Sequence, residues 1–242
     1  MFETKKKILG VIPARGGSKG VSKKNIRIIA GKPLIAYSIE LAKKLAFLYK
    51  TLVSTDSKEI AEIAKAHGAQ MPFLRPKELA EDETPMLPVL QHAVNFIENI
   101  DKVKIDYLLL LQPVNPLRSI EDVEGCVKKI IESGADSVIS VSKVDSLHPV
   151  LMKKIEDDLI KPYCLDEIEG TRRQDFKPDA YMRSGGIYIT KRDVLMRENS
   201  IWGKISRPYI IPKKRGIGID DEIDLLIVEQ LLLRRKHEIQ NS

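Results

Sequence analysis

The sequence predicts an α/β fold of three layers, a mostly parallel sheet between two layers of helices, with a β-rich arm protruding from it. Short apolar runs alternate with stretches of helical periodicity, the rhythm of parallel strands joined by helical crossovers. One run, residues 107–111, is apolar at every position, as expected of a central strand covered on both faces. From about residue 143 to 181 the rhythm breaks into short apolar patches, Pro149, Pro162, Pro178 and many charges. That segment reads as the arm, marginal alone and steadied by a partner chain.

Taken in order, residues 8–14 are a short apolar run with Pro13 near its end and Gly16 just beyond it, a buried first strand. Residues 33–46 place Leu34, Ile35, Ser38, Ile39, Ala42 and Leu45 on one side of a helix. Residues 52–55 read as a second strand, and Ser57 begins a helix over 58–67 with Ile60, Ile63 and Ala64 inward. Residues 70–74 read as a third strand, and Thr84 as the cap of a helix reaching residue 100. After the strand at 107–111, Ser119 opens a helix to about 133. Further strands are read at 137–141 and 186–189, and a closing amphipathic helix runs from 221 to about 237.

The 242 residues suit one domain with the arm, about 143–181, inserted in it. The 43% apolar content is ordinary for a globular chain with a sizeable core. The net charge of +6 is mild, its cations are mixed with acids, and aromatics are 5%. That argues against a nucleic-acid partner and suits a cleft for a small polyanion. Cys126 and Cys164 form no CxxC pattern and imply neither a disulfide framework nor a zinc site. No apolar signal region or bilayer-length segment is seen, so the expectation is a cytoplasmic protein without a membrane partner.

In open α/β sheets ligands bind at the carboxyl ends of strands. The first such end carries Arg15, Gly16, Gly17, Ser18, Lys19 and Gly20. The paired glycines let backbone N–H groups approach phosphate oxygens, and Arg15 and Lys19 add charge. The glycine spacing matches neither the Walker loop nor the dinucleotide fingerprint. Asn25, which follows Lys23 and Lys24, can read a base through its carboxamide or serve as a turn residue. Gln112 stands just past the buried strand, where its carboxamide can meet a sugar or base or satisfy nearby backbone. Arg118 reads as packing or pairing structurally.

The stretch IPARGGSKGVSKKNI at 12–26 resembles the signature of the acylneuraminate cytidylyltransferases, the synthetases that make CMP-sialic acid and its legionaminic and pseudaminic relatives. Three further blocks fit in order: FLRPKELA at 73–80, LLQPVNPLR at 110–118 and RRQDFKPDAYMRSGGIYI at 172–189. The resemblance spans nearly the whole chain. It implies a Rossmann-like sheet of the nucleotide-diphospho-sugar transferase type, a Mg²⁺ requirement, CTP and an acidic sugar as substrates, and a homodimer whose arm helps close the other subunit's site.

Residue by residue, the resemblance implies that Arg15, Gly16, Gly17, Ser18, Lys19, Asn25, Arg75 and Thr84 meet the nucleotide. Arg75 could equally be a surface ion pair, and Thr84 a helix cap. Gln112, Arg173, Gln174, Tyr188 and Trp202 are implied for the acidic sugar, with core positions the alternative for the two aromatics. Arginine suits the sugar carboxylate at Arg173. The implied catalytic set is Arg15, Lys19, Gln112 and Asp220, and the implied product is a CMP-sugar for surface glycan.

Transfer from a nucleoside triphosphate needs charge neutralised as pyrophosphate leaves, which Mg²⁺ provides on one or two carboxylates. The candidate is the run Gly218–Ile219–Asp220–Asp221–Glu222–Ile223–Asp224. Asp221 reads as a helix cap with Asp224 three residues on, which leaves Asp220 for the metal, with Asp221 as a possible substitute. The family usually shows Asp-Ile-Asp where this chain has Gly218–Ile219–Asp220, and its sialic acid members commonly carry Asn where this chain has Ser184. These departures leave open an eight-carbon sugar acid, a sugar 1-phosphate, or a nucleotide-binding protein with weakened catalysis.

Overall fold

The structure is a computed structural model that describes residues 3–17, 20–144 and 146–240. It opens with strand β1, Ile8–Pro13, every residue of which is buried. A two-stranded hairpin, β2 (Ile28–Ile29) and β3 (Lys32–Pro33), follows and leads into α1, Leu34–Lys43. Next come β4 (Leu48–Ser54) and α2 (Lys58–Ala66), whose N-cap Ser57 accepts from the Ile60 N–H as its sequence position predicts. Then α3 (Met86–Asp101) leads to β5 (Tyr107–Leu111), α4 (Ile120–Ser133) and β6 (Ser137–Lys143). The hairpin β7 (Lys153–Glu156) and β8 (Leu159–Pro162) precedes the long β9, Tyr181–Lys191. α5 (Arg192–Arg197), β10 (Ser206–Ile210) and α6 (Glu222–Gln240) complete the chain.

Six strands form one sheet in the order β10-β6-β9-β5-β1-β4. β1 pairs parallel with both β4 and β5, and β10 with β6, while β9 runs antiparallel to β5 and β6. Alternate residues of the central strands serve opposite faces. Ile8, Ile12, Leu109 and Leu111 pack with Ile35, Ile39, Ile60, Val123 and Val127 of α1, α2 and α4. Leu9, Val11, Leu108 and Leu110 pack with Leu90, Ala93 and Val94 of α3. This is the three-layer arrangement, and the uniformly apolar β5 lies inside it with all five residues buried. A third cluster joins α6, through Leu225, Val228 and Leu232, to Ile29 and Ala30 of the small hairpin.

Several elements differ from the sequence reading. Residues 70–74 are not a strand; the segment makes a single bridge from Gln70 to Leu52. Pro85, not Thr84, occupies the N-cap of α3, and the Thr84 hydroxyl instead donates to the Glu78 carbonyl at 3.2 Å. β9 is 11 residues long, and α5 and β10 lie where no element is read from the sequence. β10 pairs along one edge only and is largely exposed, so it lacks the apolar run that would reveal it.

The predicted arm contains the β7–β8 hairpin, with every strand residue exposed. Within the arm, Phe176 and Val150 are buried, and the His148 ring lies 5.3 Å from that of Phe176. Its apolar side chains otherwise face outward: Ile155, Ile160 and Ile168 are each more than three-quarters exposed, at 77, 76 and 78%. Among the described residues no helix is long and apolar enough to cross a membrane.

Candidate active site

A cleft of about 360 Å³ opens at the carboxyl ends of β1 and β5. Arg15, Asn25, Arg75, Thr84, Gln112 and Asp220, six residues scattered over 206 positions of chain, all line it. Ser18 and Lys19 lie outside the described residues. Arg173 and Gln174 are exposed in a 3₁₀ turn and do not line the cleft.

The loop after β1 forms one wall. Arg15 reaches across the cleft to the Glu81 carbonyl at 3.1 Å and the Asp82 carboxylate at 2.8 Å. Gly16 donates its N–H to Asp56 Oδ1 at 2.9 Å, so a carboxylate at the end of β4 already orders this turn. Gly17 faces open space, and a Cβ there would meet nothing within 4 Å. Gly20 is the opposite case: a Cβ would come within 2.1 Å of the Asp220 carbonyl oxygen. Only glycine lets the loop lie against the segment that carries Asp220.

Asn25 is buried and donates to the Arg15 carbonyl at 3.0 Å, which shapes the loop from behind. The neighbouring Lys24 is a site residue that the sequence reading passes over. Its ammonium donates to the Ile219 carbonyl at 2.8 Å and stands 3.8 Å from the Asp220 carboxylate. Its adjacency to Asn25 was the signal available, but the sequence does not say which of two consecutive lysines turns inward.

Arg75 is no surface ion pair. It is 5% exposed, and its Nε donates to the Ser54 hydroxyl at 3.0 Å while the guanidinium also holds the Ser54 and Leu79 carbonyls. Burial pushes its pKa down to about 10, and Asp56 opposes the shift while Arg15 adds to it. It remains a cation at neutral pH and fixes the end of β4 to the loop that carries Asp82 and Thr84.

The other wall is the loop after β5. Arg118 is 2% exposed and donates from Nη1 to the carbonyls of Gln112 (2.6 Å), Asn115 (2.9 Å) and Gly186 (3.2 Å), and from Nη2 to the Ser38 hydroxyl. It has no carboxylate among these partners, and burial pushes its pKa down to about 9. Asn115, fully buried, donates to the Ser184 carbonyl at 3.2 Å and the Arg215 carbonyl at 3.0 Å. Gln112 is thereby presented from a rigid base. The β6–β9 pairing is irregular opposite Ser184–Gly186, and this brings Gly185, at a φ of 67°, beside the Gln112 carboxamide. The Ser184 hydroxyl turns away from the cleft onto the Ser140 hydroxyl, 2.5 Å from it.

The acidic segment is stitched to the same base. The Ile219 N–H donates to the Val114 carbonyl at 2.8 Å, and Arg215 makes two bonds to the buried Asp122 carboxylate at 2.7 and 2.8 Å. Asp221 is a cap: its Oδ1 accepts from the Ile223 and Asp224 N–H groups at 2.8 and 2.9 Å. Asp224 returns the bond to the Asp220 and Asp221 N–H groups. The Asp220 side chain is 90% exposed and carries the open carboxylate. Asp220 therefore suits a hard divalent cation better than Asp221 does. Among the described residues no group of three or more His, Cys, Asp or Glu side chains gathers to hold a metal, so any such ion needs ligand oxygens from elsewhere. A Cβ at Gly218 would meet only the Ser184 and Val114 carbonyls at 3.7 and 3.8 Å, ordinary contact distances.

Tyr188 and Trp202 form an edge-to-face pair with ring centroids 6.4 Å apart. Arg183, which the sequence reading does not single out, lies 4.7 Å from the Trp202 ring. Burial raises the Tyr188 phenol pKa, with the Arg183 guanidinium opposing it. Tyr188 is 9% exposed and belongs to the core under α3, whereas Trp202 is 40% exposed.

A family model described as cytidylyltransferase matches residues 9–202. The CMP-N,N'-diacetyllegionaminic acid synthase of Legionella pneumophila is 34% identical over 93% of this chain and 96% of its own length. The pseudaminic acid cytidylyltransferase of Campylobacter jejuni is 28% identical over 96% of this chain and 98% of its own. Among solved structures, a CMP:2-keto-3-deoxy-manno-octonic acid synthetase complexed with CTP superposes with a TM-score of 0.70 at 21% identity, covering 95% of this chain and 99% of that one, a likeness of fold. The matched span runs from β1 through Trp202, and with it the chain belongs to the cytidylyltransferase family of nucleotidyltransferases.

Proposed function

We propose that the chain transfers CMP from CTP to the anomeric hydroxyl of a nonulosonic, sialic-type acid and releases pyrophosphate. The observation that carries this reading is the cleft that gathers Arg15, Lys24, Asn25, Arg75, Gln112 and Asp220 at the strand ends. The names of the Legionella and Campylobacter relatives supply the sugar class.

The triphosphate takes the place of the Asp82 carboxylate on Arg15, with Gly16, Gly17, Ser18 and Lys19 completing the cradle. Asn25 and Thr84 border the nucleotide, and Arg75 holds the wall behind it. Gln112 meets the sugar from the rigid β5 loop, with Tyr188 and Trp202 as its apolar border. The sugar's hydroxyl oxygen bonds to the α-phosphorus as the α–β anhydride bond breaks, and the hydroxyl proton leaves to water. No covalent enzyme intermediate is needed, so catalysis is positioning and charge stabilisation. Asp220 fits Mg²⁺ as one carboxylate completed by phosphate oxygens and water. When bound, the ion neutralises charge on the phosphates.

Residues 1–242 act as one domain, and the arm at about 143–181 docks on a second copy. The outward Ile155, Ile160 and Ile168 support that homodimer, and the placement of Arg173 and Gln174 outside this chain's cleft fits their serving the partner's site. The reaction belongs in the cytoplasm, and its product feeds surface glycan synthesis.

The test is pyrophosphate release from CTP and Mg²⁺ with a panel of legionaminic, pseudaminic and sialic acids, an eight-carbon sugar acid and a sugar 1-phosphate. Turnover with a nonulosonic acid is expected. Turnover confined to the eight-carbon acid or the sugar phosphate overturns the substrate class. CTP binding without turnover on any acceptor overturns the enzymatic reading, and activity gained by Gly218→Asp would then trace the loss to the missing carboxylate.

A further inference from the structure

The β5 loop borders a second cavity as well. Beyond Gln112 and Val114, which face the cleft, its later residues Pro116 and Arg118 line a separate space of about 400 Å³. The remaining walls come from the β2–β3 turn, α1, the start of α4 and the last turns of α6.

The cavity is strongly cationic. Lys32, Lys44, Arg118, Arg235 and Lys236 line it against a single carboxylate, Glu40. Glu40 is paired with Lys32, so the charge of the other four is not offset by it. Lys44 and Lys236 have no carboxylate partner among the described residues, and Lys236 Nζ lies 4.0 Å from the point a Gly31 Cβ would occupy, drawing α6 over the turn. Arg235 donates to the Leu117 carbonyl at 3.5 Å and lies close enough to Glu121 that, after the Ser119 side chain, it too lowers that carboxyl's pKa. The terminal nitrogens of the buried Arg118 are spent on the Gln112, Asn115 and Gly186 carbonyls and the Ser38 hydroxyl, so Lys44, Lys236 and Arg235 are the cations the cavity offers a ligand.

The rest of the wall narrows the ligand class. Leu41, Ile120 and Leu232 are apolar. The Tyr37 hydroxyl is spent on the Ile29 carbonyl at 2.7 Å, and the Lys32 ammonium lies 4.6 Å from the Tyr37 ring centroid. Lys44 and Lys236, with no carboxylate partner, and Arg235 beside them favour a dianion over a monocarboxylate, and the apolar wall favours an anion that carries an organic body.

We propose that this cavity is a second binding site, distinct from the nucleotide cleft, for a phosphate monoester with an apolar or ring-shaped body. It shares one residue with the active-site architecture, because the Arg118 that borders it also holds the carbonyls of Gln112 and Gly186.

Calorimetric titration of the full chain with phenyl phosphate and with inorganic phosphate tests the proposal without any need for turnover, so it stands or falls apart from the proposed reaction. Phenyl phosphate is expected to bind saturably and more tightly than inorganic phosphate. In Lys44→Ala/Arg235→Ala its Kd is expected to rise about tenfold or more, with CTP binding changed less than about twofold. Arg15→Ala is expected to show the converse, weakened CTP binding with phenyl phosphate unaffected. Should the double variant lose its fold, judged by its thermal midpoint, Lys236→Glu gives the same readout. No saturable binding of either probe, equal affinity for the two, or phenyl phosphate binding that follows Arg15 and ignores Lys44, Arg235 and Lys236 each overturns the proposal.

Discussion

The loops that leave β1 and β5 border one cleft and are built on opposite plans. The β5 loop, residues 112–118, turns its polar groups inward. Asn115 is fully buried, Arg118 is 2% exposed, and between them they hold five backbone carbonyls. The β1 loop leaves its functional groups near the surface. Gly17 faces open space, and Arg15 is held by one carbonyl and one carboxylate that a ligand can displace. Both loops carry an arginine, and only the environment makes one a strut and the other a reaching hand. A buried guanidinium among carbonyls stabilises a geometry, whereas a half-exposed one paired with a carboxylate can exchange that partner for another anion.

Five substitutions can break or sharpen that contrast. The largest effect is expected at Arg118→Met, which keeps apolar volume but leaves three carbonyls without their donor. At roughly 1–3 kcal/mol per unpaired group, less what entering water restores, the loss is about 3–5 kcal/mol. For a chain of this size that lowers the thermal midpoint by about 10 °C, read by calorimetry. A midpoint within a degree or two of wild type would mean that the β5 loop is not the strut described.

Arg15→Ala is expected to do the reverse. We expect kcat/KM to fall about 10²-fold or more, close to 3 kcal/mol of transition-state binding, with thermal stability almost unchanged. Steady-state kinetics beside a melting curve separates the two. Loss of stability with near-normal turnover would exchange the roles assigned to the two arginines.

Gly20→Ala against Gly17→Ala sharpens the picture within the β1 loop. The Cβ added at Gly20 collides with the Asp220 backbone, so the loop and the acidic segment must part, at about 1–3 kcal/mol. Gly17→Ala meets no neighbour and should change stability by less than about 0.5 kcal/mol. Urea titrations of both variants give the comparison, and equal midpoints would deny the close approach. A modest effect is expected at Ser119→Ala, which removes one half of the capping box that starts α4 behind the β5 loop. Its cost is about 1 kcal/mol, with kcat/KM within about twofold of wild type.

Legibility from sequence followed the locality of the physics. The uniformly apolar β5, the Ser57 and Ser119 caps and the glycine-rich turn after β1 each depend on a few consecutive residues, and each appears where the sequence predicts it. Residues 70–74 have strand-like composition but make a single bridge to the edge strand β4, because Pro72 has no N–H with which to continue a ladder. Thr84 looked like a cap and yielded to Pro85, whose fixed φ also suits a helix start. β10 was hidden because its pairing with β6 depends on a strand nearly 70 residues away.

By itself the sequence determined the alternation of strand and helix, the apolar centre of the sheet, and the cationic glycine turn at its first strand end. These follow from backbone preference and side-chain polarity along short stretches of chain. Only the tertiary structure decided which cations meet an anion and which meet a carbonyl. It buried Arg75 and Arg118, turned Lys24 toward Asp220, spent Asp221 as a cap and carried Arg173 away from this chain's cleft. Charge and type are properties of a residue, but burial and partner are properties of a place, and that place is assembled from distant parts of the chain.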